Sequence, residues 1–234
     1  CIPKVDKIFG PGNQFVMAAK QLVSISDVAI DMPAGPSEVA IMADGSANAA
    51  FIAADLLSQA EHGPDSQVLL VTNSQLLVDE VEIHLASQLA ELNRKEIAGK
   101  ALGNSVAIVL RNEDEMISLI NEYAPEHLII SMENYSEVAE KIINAGSVFL
   151  GNYTPESAGD YASGTNHTLP TNGWVRSFSG VNIDSFIKKI TFQEISPEGM
   201  KNLGPVIETM ATAEQLDAHK NAVTLRLNEI RNKK

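Results

Sequence analysis

Cysteine is almost absent: Cys1 is the only one in 234 residues. A single thiol can neither close an internal disulfide nor build a cysteine-based zinc site, so a reducing, cytoplasmic setting is expected. Long apolar runs are also missing. None reaches the roughly 18 residues of a membrane span, and the N-terminus lacks a basic-then-apolar signal peptide. Basic residues are few, with 17 Lys plus Arg against 30 Asp plus Glu, and the net charge of -13 repels a nucleic-acid backbone. Aromatics make up 5% of the chain, with Trp174 the only tryptophan, whereas 44% of residues are hydrophobic. That balance belongs to a globular chain with a real core. The chain opens on Cys rather than Met, and CIPKVDKIFGPGNQF reads as mid-protein sequence. The N-terminal boundary is therefore expected to be artificial.

Short apolar, β-branched runs alternate with longer segments of helical period, the pattern of parallel strands joined by crossover helices, so the fold class is α/β. Strands are predicted at 39–43, 67–72, 106–110, 127–131 and 147–150, with helices at about 47–62, 75–92, 113–123 and 135–145. Gly63-Pro64 stops the first of these helices, because Gly accepts the left-handed turn and Pro cannot extend the helix. His62 is thereby placed at a helix C-terminus. Residues 152–180 are dense in Gly, Ser, Thr, Asn and Pro and read as a long ordered loop. From 197 to 234 two helical patterns follow, the second amphipathic and ending in the basic run RNKK.

Five histidines are present, and four lie beside carboxylates, carboxamides or turn residues. Gln59 and His62 in LLSQAEHGPD are three apart on a helix, hence on one face and able to meet at one ion. A helix-end histidine without a ligand is the plainer alternative. Glu126-His127 stands where a turn enters a strand and offers a water-activating base beside a proton shuttle, or else a solvated turn. Asp160 and His167 lie in a loop whose glycines let backbone approach a site closely, though loop aspartates are commonly turn-formers. Glu214 and His219, five apart, reach one site only if a helix begins between them or the site wraps its start. His84 sits in a regular amphipathic pattern and receives no role. Gly10-Pro11-Gly12-Asn13 is not the full GxGxxG fingerprint and reads on its own as a tight turn. Gly35-Pro36-Ser37-Glu38 likewise reads as a polar loop before a strand.

Together the segments IDMPAGPSEVAIMAD, DLLSQAEHGPDSQ, YAPEHLII, GSVFLGNYTPESAGDYASGTNHTLPT and ETMATAEQLDAHKNAVTLRL resemble histidinol dehydrogenases from KIFGPGN to the last helix. Members of that family are longer by roughly an N-terminal half. The resemblance implies an incomplete Rossmann-like parallel sheet with a C-terminal helical extension. It divides the chain into 1–33, the tail of a second nucleotide-fold-like domain, 34–180, which carries the site, and 181–234, a helical extension exchanged in a homodimer. It implies zinc- and NAD-dependent oxidation of L-histidinol to L-histidine through the aldehyde, in the last steps of histidine biosynthesis.

By the same resemblance, Gln59, His62, Asp160 and a partner-donated His219 match zinc ligands, and Glu126 and His127 match the acid–base pair. Ser37 and Glu214, with His127 and the metal ligands, match substrate contacts. Asn13 matches a contact to NAD, while the other expected cofactor contacts fall in sequence not present here, so weak turnover is expected of this chain alone. Two other readings compete: a zinc hydrolase using the same ligands, and a non-catalytic dimerisation module that retains them.

Overall fold

The computed structural model describes residues 3–232; Cys1 and the two lysines of RNKK lie outside the described residues. A two-stranded parallel ribbon comes first, pairing β1 (Lys7–Ile8) with β2 (Ala29–Ile30) around α1 (Gln14–Ser24). Five parallel strands follow: β3 (Glu38–Ala43), β4 (Gln67–Thr72), β5 (Val106–Val109), β6 (His127–Ser131) and β7 (Ser147–Leu150). Their spatial order is β5-β4-β3-β6-β7, so the winding reverses between β3 and β6. The crossovers are α2 (Ala49–Ala60), α3 (Gln75–Glu91), α4 (Lys95–Leu102), α5 (Glu113–Tyr123) and α6 (Tyr135–Ala139). After them come α7 (Glu156–Tyr161), α8 (Pro197–Ala213) and α9 (Asp217–Asn232). The α/β reading holds.

The central strands β3, β4 and β6 are covered on both faces, which is why they are apolar without alternation, whereas the edge strands β5 and β7 are mostly exposed. Side chains nevertheless sort by parity. Val39, Ile41, Val68, Leu70 and Ile129 pack beneath α2, α3 and α4, whereas Ala40, Met42, Leu69, Val71 and Leu128 pack beneath α5 and α6. Residues up to 187 form one compact unit and those from 188 a second, built on the α8–α9 helical hairpin. No helix among the described residues is long and apolar enough to cross a membrane.

Two expectations need correction, and one helix was not predicted. The helix predicted at 135–145 stops at Ala139, because the Asn121 side chain accepts the backbone N–H groups of Ile143 and Asn144 that a continuing helix would have used. The helix expected at 75–92 is found at Gln75–Glu91; the unpredicted α4 follows after residues 92–94, of which Leu92 is extended at ψ 137°. The loop expected at 152–180 contains α7, and Asp160 lies on that helix.

Candidate functional site

In open α/β sheets, ligands usually sit beyond the carboxyl ends of the strands at the reversal point. Here the chemistry-bearing side chains gather at the opposite edge. Glu38 and His127 open β3 and β6, Glu126 immediately precedes β6, and α2 delivers Gln59 and His62 on its way to the amino end of β4.

Local sequence explains how the pair Glu126-His127 is set. Helix α5 ends on Ala124, whose φ of 57° is left-handed and whose N–H still reaches Ile120 O at 2.8 Å. A non-glycine residue in that region costs about 1 kcal/mol, and Pro125 then prevents the helix from resuming. On the far side, Gly146 N donates to Pro125 O at 3.0 Å and Ser147 N to Glu126 O at 2.9 Å. A Cβ at position 146 would stand 2.5 Å from the Glu126 carbonyl oxygen, so only glycine lets β7 close on this backbone.

Glu126 and His127 are both 5% exposed. His127 Nδ1 faces acceptors: Glu38 O at 3.3 Å, Glu126 Oε2 at 3.6 Å and Glu156 Oε1 at 3.8 Å. A carbonyl can only accept, so the ring proton belongs on Nδ1 and the lone pair on Nε2. Burial disfavours the imidazolium and pushes His127 down to about 4. Burial also lifts Glu126 well above the usual carboxylate range, and the charges of Glu38, Glu156 and Asp160 lift it further. The site is short of positive charge.

Gln59 is completely buried in the last turn of α2. With its carboxamide turned so that nitrogen faces Glu156, it donates to Oε1 at 2.7 Å and to Oε2 at 3.2 Å, an orientation assigned from the hydrogen-bond network. The carboxamide oxygen then points away from that carboxylate. Helix α2 ends at Ala60, so His62 lies in the turn beyond it rather than on the helix; its N–H bonded to Gln59 O at 3.2 Å keeps the two together. Glu156 and Asp160 are one turn apart on α7 and share a face. Gly159 lets that helix press on the sheet, since a Cβ there would meet the Phe149 ring at 2.8 Å. Ligand atoms of His62, Glu156 and Asp160 lie within 4.8 Å of one another. Burial, then the nearby charges of Asp160 and Asp55, push Glu156 up to about 8. Nitrogen and oxygen donors converging with excess negative charge suit a divalent cation such as zinc.

A cleft of about 330 Å³ beside this cluster is lined in part by Asn13, Ser37, His62, Ser66, Glu126 and Thr171. Asn13 caps α1, its Oδ1 accepting from Phe15 N and Val16 N at 3.1 Å each. The turn before it is pinned by a buried ion pair: Lys20 Nζ reaches Asp31 at 2.5 Å and Gly10 O at 2.7 Å, while Asp31 accepts Gly10 N at 2.8 Å. Glu214 and His219 belong to the second unit, and both are exposed there. Glu214 closes α8, Gln215 turns left-handed at φ 60°, and α9 starts at Asp217, so a helix does begin between them. His167 and His84 are exposed.

Sequence reasoning missed Glu38 and Glu156. The four-residue spacing of Glu156 and Asp160 behind Pro155 was the available signal for the second; nothing local distinguished the first from a loop acid. It also missed Asn172, whose left-handed backbone, φ 53°, directs its N–H to Glu38 Oε1 at 3.0 Å.

A sequence model of histidinol dehydrogenase matches residues 1–227. The chain is similar to the histidinol dehydrogenase of Bacteroides thetaiotaomicron, 67% identical over 230 residues that cover 98% of this chain and 54% of that one. It is similar to the chloroplastic histidinol dehydrogenase of Arabidopsis thaliana, 56% identical across 97% of this chain and 50% of the relative. The crystal structure of histidinol dehydrogenase from Elizabethkingia anophelis superposes with a TM-score of 0.94 at 58% identity, covering 98% of this chain and 53% of that chain. The chain thus spans about half the length of the curated relatives it matches. With the reversed-edge site and its converging donors, these likenesses lead to one conclusion: the chain belongs to the histidinol dehydrogenase family.

Proposed function

We propose that this chain supplies the zinc site and the acid–base pair for oxidising L-histidinol to L-histidine through the aldehyde, the last steps of histidine biosynthesis. The observation that supports this most is the convergence of His62, Glu156 and Asp160 beside the buried Glu126-His127 pair. In this reading Gln59, His62 and Asp160 hold the ion together with the partner's His219. Gln59 contributes its carboxamide oxygen while Glu156 fixes the nitrogen end. Bound zinc supplies a positive centre that anchors the substrate's imidazole and amine, and bound NAD accepts hydride, one molecule for each of two successive oxidations.

The remaining work falls to the protein's own side chains. Nε2 of His127 takes the alcohol proton. Glu126, its affinity for protons raised by burial, takes one from the water that hydrates the aldehyde, since a second hydride can leave only from the hydrate. Ser37 lines the cleft and contacts substrate, and Glu214 is the further substrate contact that the family resemblance assigns. Asn13 faces the same cleft, and because its Oδ1 caps α1, its contact to NAD runs through Nδ2.

The second unit supports an exchanged homodimer. A helical hairpin this small buries little apolar surface by itself, and Leu203, Val206, Met210 and Leu225 remain exposed. Exchange also brings His219 of the partner subunit to the central cluster. In this reading residues 1–33 complete a domain whose larger part lies in the N-terminal half of the relatives.

The test is NADH production from L-histidinol. The chain alone is expected to turn over at least about 100-fold more slowly than when joined to the N-terminal half of the Bacteroides thetaiotaomicron relative, because misplaced reactants cost that much. Full-rate turnover by the chain alone would refute the division of labour. Metal-dependent ester hydrolysis without NAD would replace the reading with a hydrolase.

A further inference from the structure

We propose that Glu38 is the positioning residue of the acid–base pair: its carboxylate and both its backbone groups fix where Glu126 and His127 stand. The proposal rests on the reading of Glu126-His127 as that pair. Strand register puts Val39 opposite His127, so Glu38 stands opposite Glu126 at the point where the winding reverses. The two glutamates hold each other reciprocally. Glu38 N donates to Glu126 Oε2 at 3.0 Å, and Glu126 N donates to Glu38 Oε1 at 3.3 Å. The Glu38 carbonyl accepts His127 Nδ1–H at 3.3 Å, which fixes the tautomer. Two further donors hold the carboxylate itself, Asn172 N at 3.0 Å and Tyr123 Oη at 3.5 Å.

Stability alone does not account for an acid here. Glu38 is 4% exposed, and burial pushes it up to about 7 even though three hydrogen bonds act against the rise. A buried acid set beside another one costs folding energy that an apolar residue of similar volume would avoid. What an apolar residue could not do is accept the Glu126 and Asn172 N–H groups. Locally unfavourable choices of this kind concentrate where geometry must be exact for function.

The test uses the full chain, labelled with ¹⁵N-histidine and freed of metal with EDTA, at pH 7.5, where burial keeps His127 neutral. Two-dimensional NMR reads the tautomer, and His127 is assigned by its disappearance in His127→Asn. The unsubstituted chain should show a single Nδ1–H tautomer. Glu38→Ala keeps the carbonyl that accepts Nδ1–H but loses the carboxylate that clasps Glu126 N and Asn172 N. The start of β6 is then no longer held against that carbonyl, so the single-tautomer pattern should be lost, the two ring nitrogens drifting toward averaged shifts. Glu38→Gln should retain it, because a carboxamide oxygen still accepts both N–H groups and its nitrogen can donate to Tyr123.

A merely structural role would change the unfolding midpoint and leave the tautomer of the folded chain alone, so an unchanged pattern in Glu38→Ala overturns the proposal. So does equal loss in Glu38→Gln, which also carries the test should the alanine variant not fold. Failure to make NADH would leave these signals where they are, so it would count against the proposed reaction and not against this assignment.

Discussion

Asp160→Ala should bind zinc more than roughly 100-fold more weakly than the unsubstituted chain, as read by competition with a chromogenic chelator. Loss of a group that merely orients a ligand already costs 10- to 100-fold, so loss of a ligand should exceed that. Neighbouring carboxylates cannot readily take over. Glu156 is committed to the Gln59 carboxamide, and Glu126 is clasped to the backbone of Glu38. Asp160 is the half-buried acid of the cluster that carries no such commitment among the described residues, and its helix holds it next to His62. Undiminished affinity would mean that Glu156 and His62 hold the ion, and the donor set would have to be redrawn around them.

Zinc-free chain should also lose stability as pH rises from 6.5 to 8. Glu38 titrates at about 7 when folded against 4.5 for a free side chain, and Glu156 at about 8 against 4.5. Both keep protons in the folded state that the unfolded chain has released. Their favourable contribution is complete below 4.5 and disappears as pH climbs through 7 and 8. His127 has the opposite sign: lowered from 6.5 to about 4, it destabilises the fold as pH falls between those values and contributes nothing further above 6.5. Between 6.5 and 8 the carboxyls therefore act unopposed. Each pKa unit corresponds to about 1.4 kcal/mol, which puts the drop in melting temperature at roughly 5 °C or more. Saturating zinc should shrink it, since a cation stabilises the ionised carboxylates. A midpoint that rises with pH in the zinc-free chain would contradict this picture of the cluster.

Both expectations depend on features that the sequence reveals unevenly. The five strands were readable because short β-branched, apolar runs alternate with helical segments, and in the centre of the sheet, covered on both faces, runs such as VLLV and HLII have few other uses. The end of α2 was readable from Gly63-Pro64 to within two residues, the helix stopping at Ala60 rather than His62. Helix α7 was not, because Gly159 and the small residues around it, which let the helix lie against Phe149, look like loop composition. The shortening of α6 was hidden as well, since it depends on Asn121, some 20 residues away. Glu38 is the clearest case. Its neighbours in sequence are those of an ordinary loop before a strand, and what sets it apart is the backbone of Glu126, His127 and Asn172, 88 to 134 residues downstream. Residues whose role is to be a ligand or a base could be picked out from local motifs and the family resemblance; residues that hold those in place are defined by contacts across the fold.

Whether the second unit takes part in the proposed metal centre is decided most directly by zinc content. Purified His219→Ala should retain little of the zinc that the unsubstituted chain carries after the same dialysis, although position 219 is separated by 59 residues from the last donor of the first unit, Asp160. Full retention of zinc by His219→Ala would show that the second unit takes no part in the site.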